Sequence, residues 1–150
     1  RIKGEVPEGD HVTPLGQARL VREGSHVSII AYGSAVHHAL EAAVQLEKEG
    51  VSAEVLDLRS LVPLDTAAVL ATVRKTSHAV IAHEDWLRCG FGAEIAALLA
   101  EEAIDLLDGP VVRVASQNTP IPFASALEEA HLPNAQKLVA AVRKTLRSTA

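Results

Sequence analysis

Aromatic residues are scarce in this 150-residue chain: one Trp, one Tyr and two Phe. Ala, Val, Leu and Ile must therefore fill the core, and at this length one domain is expected, burying roughly two thirds of the surface its unfolded chain exposes. Methionine is missing altogether and the first residue is Arg1, which leads us to expect a fragment or a processed product. The single cysteine, Cys89, rules out an intrachain disulfide and a zinc site built on paired cysteines, and it fits a reducing compartment. Basic residues are outnumbered, 14 against 19 acidic ones, giving a formal charge of -5. Lys and Arg are scattered along the chain, which disfavours nucleic acid as a partner and suits a basic one. No stretch approaches the ~20 apolar residues of a membrane span, and no signal-peptide pattern opens the chain, so a soluble domain is expected.

What is present alternates between two periodicities. Residues 1–16 mix Gly, Pro and charges without a repeat and read as a linker or arm, leaving residues 17–150 as the domain. Ala18 to Val21 suits an edge strand, and His26 to Tyr32, rich in β-branched residues, suits a strand covered on both faces. Ser34 is placed to cap a helix reaching Gly50, with Val36, Leu40, Ala43, Val44 and Leu46 at helical spacing. The pattern then repeats. Ala53 to Leu58 reads as a strand, Asp65 caps a helix to about Lys75, and Ala79 to His83 reads as the next strand. A helix follows Cys89-Gly90-Phe91-Gly92 to about Ile104, and Val111 to Val114 is the last strand. Pro120, Pro122 and Pro133 break the next stretch into loop and short helix, and Asn134 begins a terminal helix with Leu138, Val139, Val142 and Leu146 on one face. Strands alternating with helices imply parallel βαβ units with right-handed crossovers.

In such a sheet, ligands sit beyond the carboxyl ends of the strands. Four polar segments end there: Tyr32-Gly33-Ser34, Asp57-Leu58-Arg59, His83-Glu84-Asp85 and Ala115-Ser116-Gln117-Asn118. His83, Glu84 and Asp85 look most like chemistry, yet adjacent strand residues face opposite ways and no second His stands at ligand spacing. A structural or interface role is favoured for them over a metal site. Gly90-Phe91-Gly92 opens a helix as a phosphate cradle would, but it lacks the longer glycine-rich patterns, so close packing is the expected cause. The Arg59 guanidinium could grip a carboxylate or phosphate, or pair with Asp57 or Asp65. Cys89 beside Arg88 reads as a quiet loop cysteine. No nucleophile elbow or triad is present, so the domain reads as catalytically empty.

Taken in order, Arg22-Glu23-Gly24, Ile30-Ala31-Tyr32-Gly33 and Glu54 through Asp65 resemble the C-terminal domain of transketolase-like thiamine diphosphate enzymes. His83-Glu84, Gly90 through Ile95, Pro110 through Val114, Pro120-Ile121-Pro122-Phe123 and Leu132-Pro133 are most similar to the beta subunit of pyruvate or branched-chain 2-oxoacid dehydrogenases. The resemblance runs from about Gly16 to Leu146, and Lys3-Gly4 through Gly16 looks like the segment leading in from a preceding domain. It implies a three-layer α/β/α sandwich with a five-stranded, mostly parallel sheet whose first, edge strand, here Ala18 to Val21, is antiparallel.

The same resemblance implies oxidative decarboxylation of a 2-oxoacid, with acyl transfer to a lipoyl group, by an alpha2-beta2 assembly. In that family thiamine diphosphate and magnesium are held by a Gly-Asp-Gly motif and an Asn of the alpha subunit, and a Glu of the beta subunit's N-terminal domain activates the thiazolium. Here Gly9-Asp10 is followed by His11, so neither cofactor binding nor catalysis is carried onto this chain. The implied partners are the N-terminal domain of the same subunit, an alpha subunit, a second beta subunit and the peripheral-subunit-binding domain of an acyltransferase core. No nucleic acid or membrane partner is expected. Arg59, His83 and Glu84 become interface or substrate-entrance candidates, and Asp105 and Asp108 candidates for acyltransferase docking. The alternatives are a deoxyxylulose-phosphate synthase or transketolase C-terminal domain, or a stand-alone nucleotide- or phosphate-binding domain. A bacterial cytoplasm is favoured over a mitochondrial matrix.

Overall fold

The β-branched run after Gly24 becomes the second of five strands in a computed structural model that describes Glu5 and residues 8–147. In chain order the elements are β1 (Arg19–Arg22), β2 (Val27–Ala31), α1 (Ala35–Glu47), β3 (Ala53–Asp57), α2 (Thr66–Thr76), β4 (Ala79–Trp86) and α3 (Gly92–Glu102). A 3-10 turn over Ile104–Leu106, β5 (Val112–Ser116), α4 (Ser125–His131) and α5 (Ala135–Leu146) complete it. The strands lie in the order β1-β3-β2-β4-β5. Only β1 runs antiparallel to its neighbour, β3; the remaining pairs are parallel. This is the expected mixed sheet with its antiparallel edge strand.

Strand alternation sorts the core into two halves. Val27, Ile29 and Ala31 of β2 face α1 and α5 and pack with Ala39, Leu46, Leu138 and Val142. Ile30 faces α2 and α3 and packs with Val69, Val73, Ile95 and Leu99. β2 is buried along its whole length, because β3 and β4 flank it and helices cover both faces. β1 is different. Its pairing with β3 is interrupted by a bulge between Leu20 and Arg22, and Leu20 is 41% exposed.

The helix starts test the capping expectations. Asp65 accepts from the Ala68 amide at 3.0 Å, and Asn134 accepts from the Lys137 amide at 2.9 Å. Each satisfies one of the donors that a helix start leaves open. Ser34 does not cap. Its own backbone is helical and its hydroxyl is buried without a partner, because the turn Val36 N–H to Gly33 C=O winds the chain before the side chain can reach an amide. Val44, expected on the apolar face of α1, is 47% exposed, since the packed stripe runs through Ala35, Ala39, Ala42, Ala43 and Leu46 instead. β4 continues three residues beyond the expected His83, to Trp86, because its end pairs again with Ser116 past an irregularity.

A polar layer interrupts the α2 side of the core. Ser28 and Glu54, register partners on β2 and β3, are both buried. Thr72, Lys75 and Thr76 project from α2 at spacings that share one helix face. The Thr72 hydroxyl donates to Glu54, and Lys75 Nζ lies 2.5 Å from the same carboxylate and 2.6 Å from exposed Glu23. Ser28 Oγ lies 2.8 Å from Thr72 Oγ1 and 2.7 Å from Thr76 Oγ1. The buried carboxylate is thus fully engaged, as low-dielectric surroundings require. Hydrogen bonds that it donates to Glu23 and then to Glu54 hold the Lys75 ammonium above its ordinary pKa.

Candidate functional site

Because β2, β3, β4 and β5 are parallel, their carboxyl ends gather along one edge of the sheet. That edge carries the four polar segments, and two of them meet where Tyr32 packs on His83. The imidazole is fully buried, stacked on Tyr32 with ring centroids 5.8 Å apart and planes within 3°. Phe91 closes edge-on against Tyr32 at 6.4 Å. On the other side stands the start of α3. A Cβ built on Gly92 would lie 2.2 Å from His83 Nε2, and one on Gly90 2.9 Å from His83 Cε1. Gly90-Phe91-Gly92 is therefore a packing motif, with glycine required to admit the ring.

Burial pushes the His83 pKa below its ordinary value; Asp85 opposes this and Arg113 adds to it. The Tyr32 phenol is raised, first by burial and then by Asp85. Glu84 points outward, as strand alternation requires, while its carbonyl accepts from Ser116 Oγ at 2.6 Å. His83 and Glu84 thus do not share a site.

Arg59 stands apart from them. It adopts φ 58°, and its backbone N–H donates to Asp57 Oδ1 at 3.0 Å. Its guanidinium reaches Thr13 Oγ1 at 3.4 Å in the arm that precedes β1. The expected pairing with Asp57 or Asp65 is not made: Asp65 is occupied by the amides of Ala68 and Ala18, at 3.0 and 2.9 Å. Asp105 and Asp108 lie before β5, at the opposite edge of the sheet, and both are exposed. Asp105 sits in the 3-10 turn beside Ile104, which is 60% exposed, and the Asp108 amide donates to Ser77 C=O at 2.9 Å.

Two clefts flank the His83 loop. One of about 820 Å³ runs between the Leu61–Thr66 turn and α3, with Val62, Leu64, Phe91 and Leu98 on its walls and the carboxylates of Asp85 and Glu94 beside them. Among the described residues no Lys or Arg lines it, and no group of three His, Cys, Asp or Glu side chains could hold a metal. With no side-chain cation among its described lining residues, and with the carboxylates of Asp85 and Glu94 facing it, the cleft is a poor match for a diphosphate. The second cleft, about 380 Å³, is lined by Trp86, Arg88, Cys89, Asn118, Thr119 and Pro120. Around it the surface is apolar: Trp86, Leu87, Ile121, Phe123 and Leu127 are 50%, 37%, 61%, 105% and 60% exposed. These side chains form an exposed apolar patch at the carboxyl edge of the sheet. His131 is buried nearby, its Nδ1 3.5 Å from Thr119 Oγ1.

The Glu54 network escaped the sequence reading. Its signal was present as two polar residues, Ser28 and Glu54, in otherwise apolar strands, matched by Thr72, Lys75 and Thr76 on one helix face.

Known proteins agree with this architecture. The beta subunit of acetoin:2,6-dichlorophenolindophenol oxidoreductase from Cupriavidus necator is 44% identical over 146 residues, 97% of this chain and 43% of that protein. The mitochondrial pyruvate dehydrogenase E1 component subunit beta of Caenorhabditis elegans is 46% identical over 97% of this chain and 42% of its own length. A split-gene transketolase solved as an inactive beta4 tetramer superposes with a TM-score of 0.83 at 35% identity, covering 98% of this chain and 47% of that one. The chain thus spans less than half the length of these relatives. Residues 16–138 match the family described as transketolase, C-terminal domain, and the chain belongs to that family.

Proposed function

We propose that this chain is the C-terminal assembly domain of the beta subunit of a thiamine diphosphate-dependent 2-oxoacid dehydrogenase, and that it is inactive alone. One observation carries the reading: near-complete alignment of the chain with less than half of beta subunits at 44% and 46% identity. The carboxyl edge supports it, because Trp86, Leu87, Ile121, Phe123 and Leu127 offer apolar area to partner subunits. The partners in this reading are the N-terminal domain of the same subunit, an alpha subunit, a second beta subunit and an acyltransferase core docking near Asp105 and Asp108. The negative net charge suits a basic docking module. Thiamine diphosphate and magnesium belong to the complete enzyme. No helix among the described residues is long and apolar enough to cross a membrane, and we place the assembly in a bacterial cytoplasm.

The test is calorimetry and turnover. The chain alone should take up no thiamine diphosphate with magnesium and decarboxylate nothing, whereas the complete beta subunit with its alpha partner should oxidise a 2-oxoacid. Cofactor binding by the isolated chain would overturn the reading. The acetoin relative, as similar as the pyruvate dehydrogenase one, favours a second reading in which the substrate is acetoin. Turnover of pyruvate, branched-chain 2-oxoacids and acetoin by the complete assembly separates the two.

A further inference from the structure

His83 combines full burial with an absence of partners: its side chain has no exposed area, and neither ring nitrogen makes a hydrogen bond. Buried polar groups are satisfied in the great majority of cases, and a neutral imidazole offers one donor and one acceptor. A ring with both idle marks a place where the fold holds a cost. Its walls explain why nothing reaches it. Tyr32 covers one face, and the backbone of Gly90 and Gly92 closes against the ring so tightly that a Cβ at Gly92 would overlap Nε2.

Above this ring lies the segment Glu84 to Cys89, the end of β4 and the turn that follows it, hereafter the loop; every residue of it is exposed. The loop is tied to β5 and the segment beyond it. Ser116 Oγ donates to Glu84 C=O at 2.6 Å, Leu87 N–H to Ser116 C=O at 3.0 Å, Arg113 Nη1 to Leu87 C=O at 2.7 Å, and Arg88 N–H to Asn118 Oδ1 at 2.9 Å. None of these bonds involves His83, so its ring acts on the loop through packing alone.

We propose that His83 is a pH-sensitive latch: neutral, it lets Gly90 and Gly92 close over it and holds the Glu84–Cys89 loop in place; protonated, it releases that loop. Adding a proton turns both ring nitrogens into donors, and neither has an acceptor in hydrogen-bonding position. The charged and titratable groups around it divide. Asp85 at the end of β4 favours the cation, Arg113 on β5 opposes it, Tyr32 beyond β2 is neutral, and α3 presents Glu94 in its first turn behind the positive end of the helix dipole. Asp85 Oδ1 already accepts the Trp86 amide at 2.7 Å. Its Oδ2 is free but makes no bond to either ring nitrogen, and Gly90 stands between them: a Cβ there would lie 3.1 Å from Asp85 Oδ2 and 2.9 Å from His83 Cε1. To serve the imidazolium Asp85 and Gly90 must shift, or water must enter between ring and glycines, and either change opens the loop. Burial holds the ring less basic than a free histidine, which puts the release on the acid side of neutrality.

Trp86, the only tryptophan of the chain, sits three residues from His83 and reports directly on the loop. Neither cofactor nor partner is needed, so the result is independent of the assembly reading. Tryptophan emission and far-UV circular dichroism are followed on lowering the pH, together with the His83 imidazole signal by NMR. The expected result is a reversible emission shift with a midpoint below about 6.5, coincident with the His83 titration, while the circular dichroism stays constant. His83→Gln should abolish the shift, and Asp85→Asn should move its midpoint to lower pH. Emission that stays flat until the circular dichroism collapses would overturn the latch, as would a shift that persists in His83→Gln. Should His83→Gln not fold, the wild-type comparison decides: coincident midpoints support the latch, and separated ones overturn it.

Discussion

Replacing Gly92 with alanine sets two effects of opposite sign against each other. Gly92 opens α3 and is not among the positive-φ glycines, so its backbone suits alanine, which in a free helix interior would gain up to about 1 kcal/mol. The added Cβ, however, would lie 2.2 Å from His83 Nε2 and 2.4 Å from Cδ2. The ring is fully buried against Tyr32 and has no open side to retreat to. Overpacking of this kind costs about 1–3 kcal/mol. The clash outweighs the helix gain, and the net loss expected is about 1–2 kcal/mol, or a fall in Tm of about 3–6 °C for a domain of this size. Urea unfolding of Gly92→Ala, His83→Ala and the double variant completes a cycle. Once the ring is removed, alanine at position 92 should become neutral or stabilising, giving a coupling within the usual range of about 0.5–3 kcal/mol. An equal loss in both backgrounds, or a Gly92→Ala chain as stable as the parent, would refute the assignment of this glycine to the histidine.

Four further outcomes follow from the same geometry. Asp65→Ala removes the acceptor for the Ala68 and Ala18 amides, so unfolding free energy should fall by about 1–2 kcal/mol and limited proteolysis before Arg19 should speed up. Thr72→Val, nearly isosteric, strips Glu54 and Ser28 of a shared hydroxyl, and denaturant titration should show a loss of about 1–3 kcal/mol. His83 is less basic in the folded than in the unfolded chain, chiefly through burial. Below about pH 6.5 the unfolded chain therefore binds the proton first, and stability drops with falling pH by at most about 1.4 kcal/mol per unit. Unfolding curves across that window should be flatter in His83→Gln, and above it the two chains should share the same pH dependence. Arg59→Ala in the complete assembly should alter kcat/KM or subunit association; if neither changes, the guanidinium is a surface group that steadies Thr13.

The sequence announced its elements more clearly than their partners. β2 was legible because five consecutive residues from Val27 to Ala31 suit burial on both faces, and the caps at Asp65 and Asn134 were legible because a short acceptor stood at the head of each periodic run. The Ser34 cap was misread, because whether a hydroxyl bonds a helix amide depends on backbone angles that residue type does not set. Strand order involves contacts between segments far apart in sequence, and periodicity is silent about these. The central place of β2, the burial of Glu54 and the three-residue extension of β4 all follow from pairing across the sheet. Of the candidate site, the glycines around Phe91 were correctly read as close packing, whereas what they pack on, His83, was visible only in three dimensions.

One end of the sheet carries a further consequence. An edge strand exposes unpaired N–H and C=O groups that can template another chain, and proteins blunt such edges with brevity, charge and bulges. β1 has all three: it is four residues long, begins and ends in arginine, and breaks register between Leu20 and Arg22. Strand-by-strand aggregation through that side is disfavoured even while Leu20 is exposed, and any fibril-prone growth would have to begin at β5.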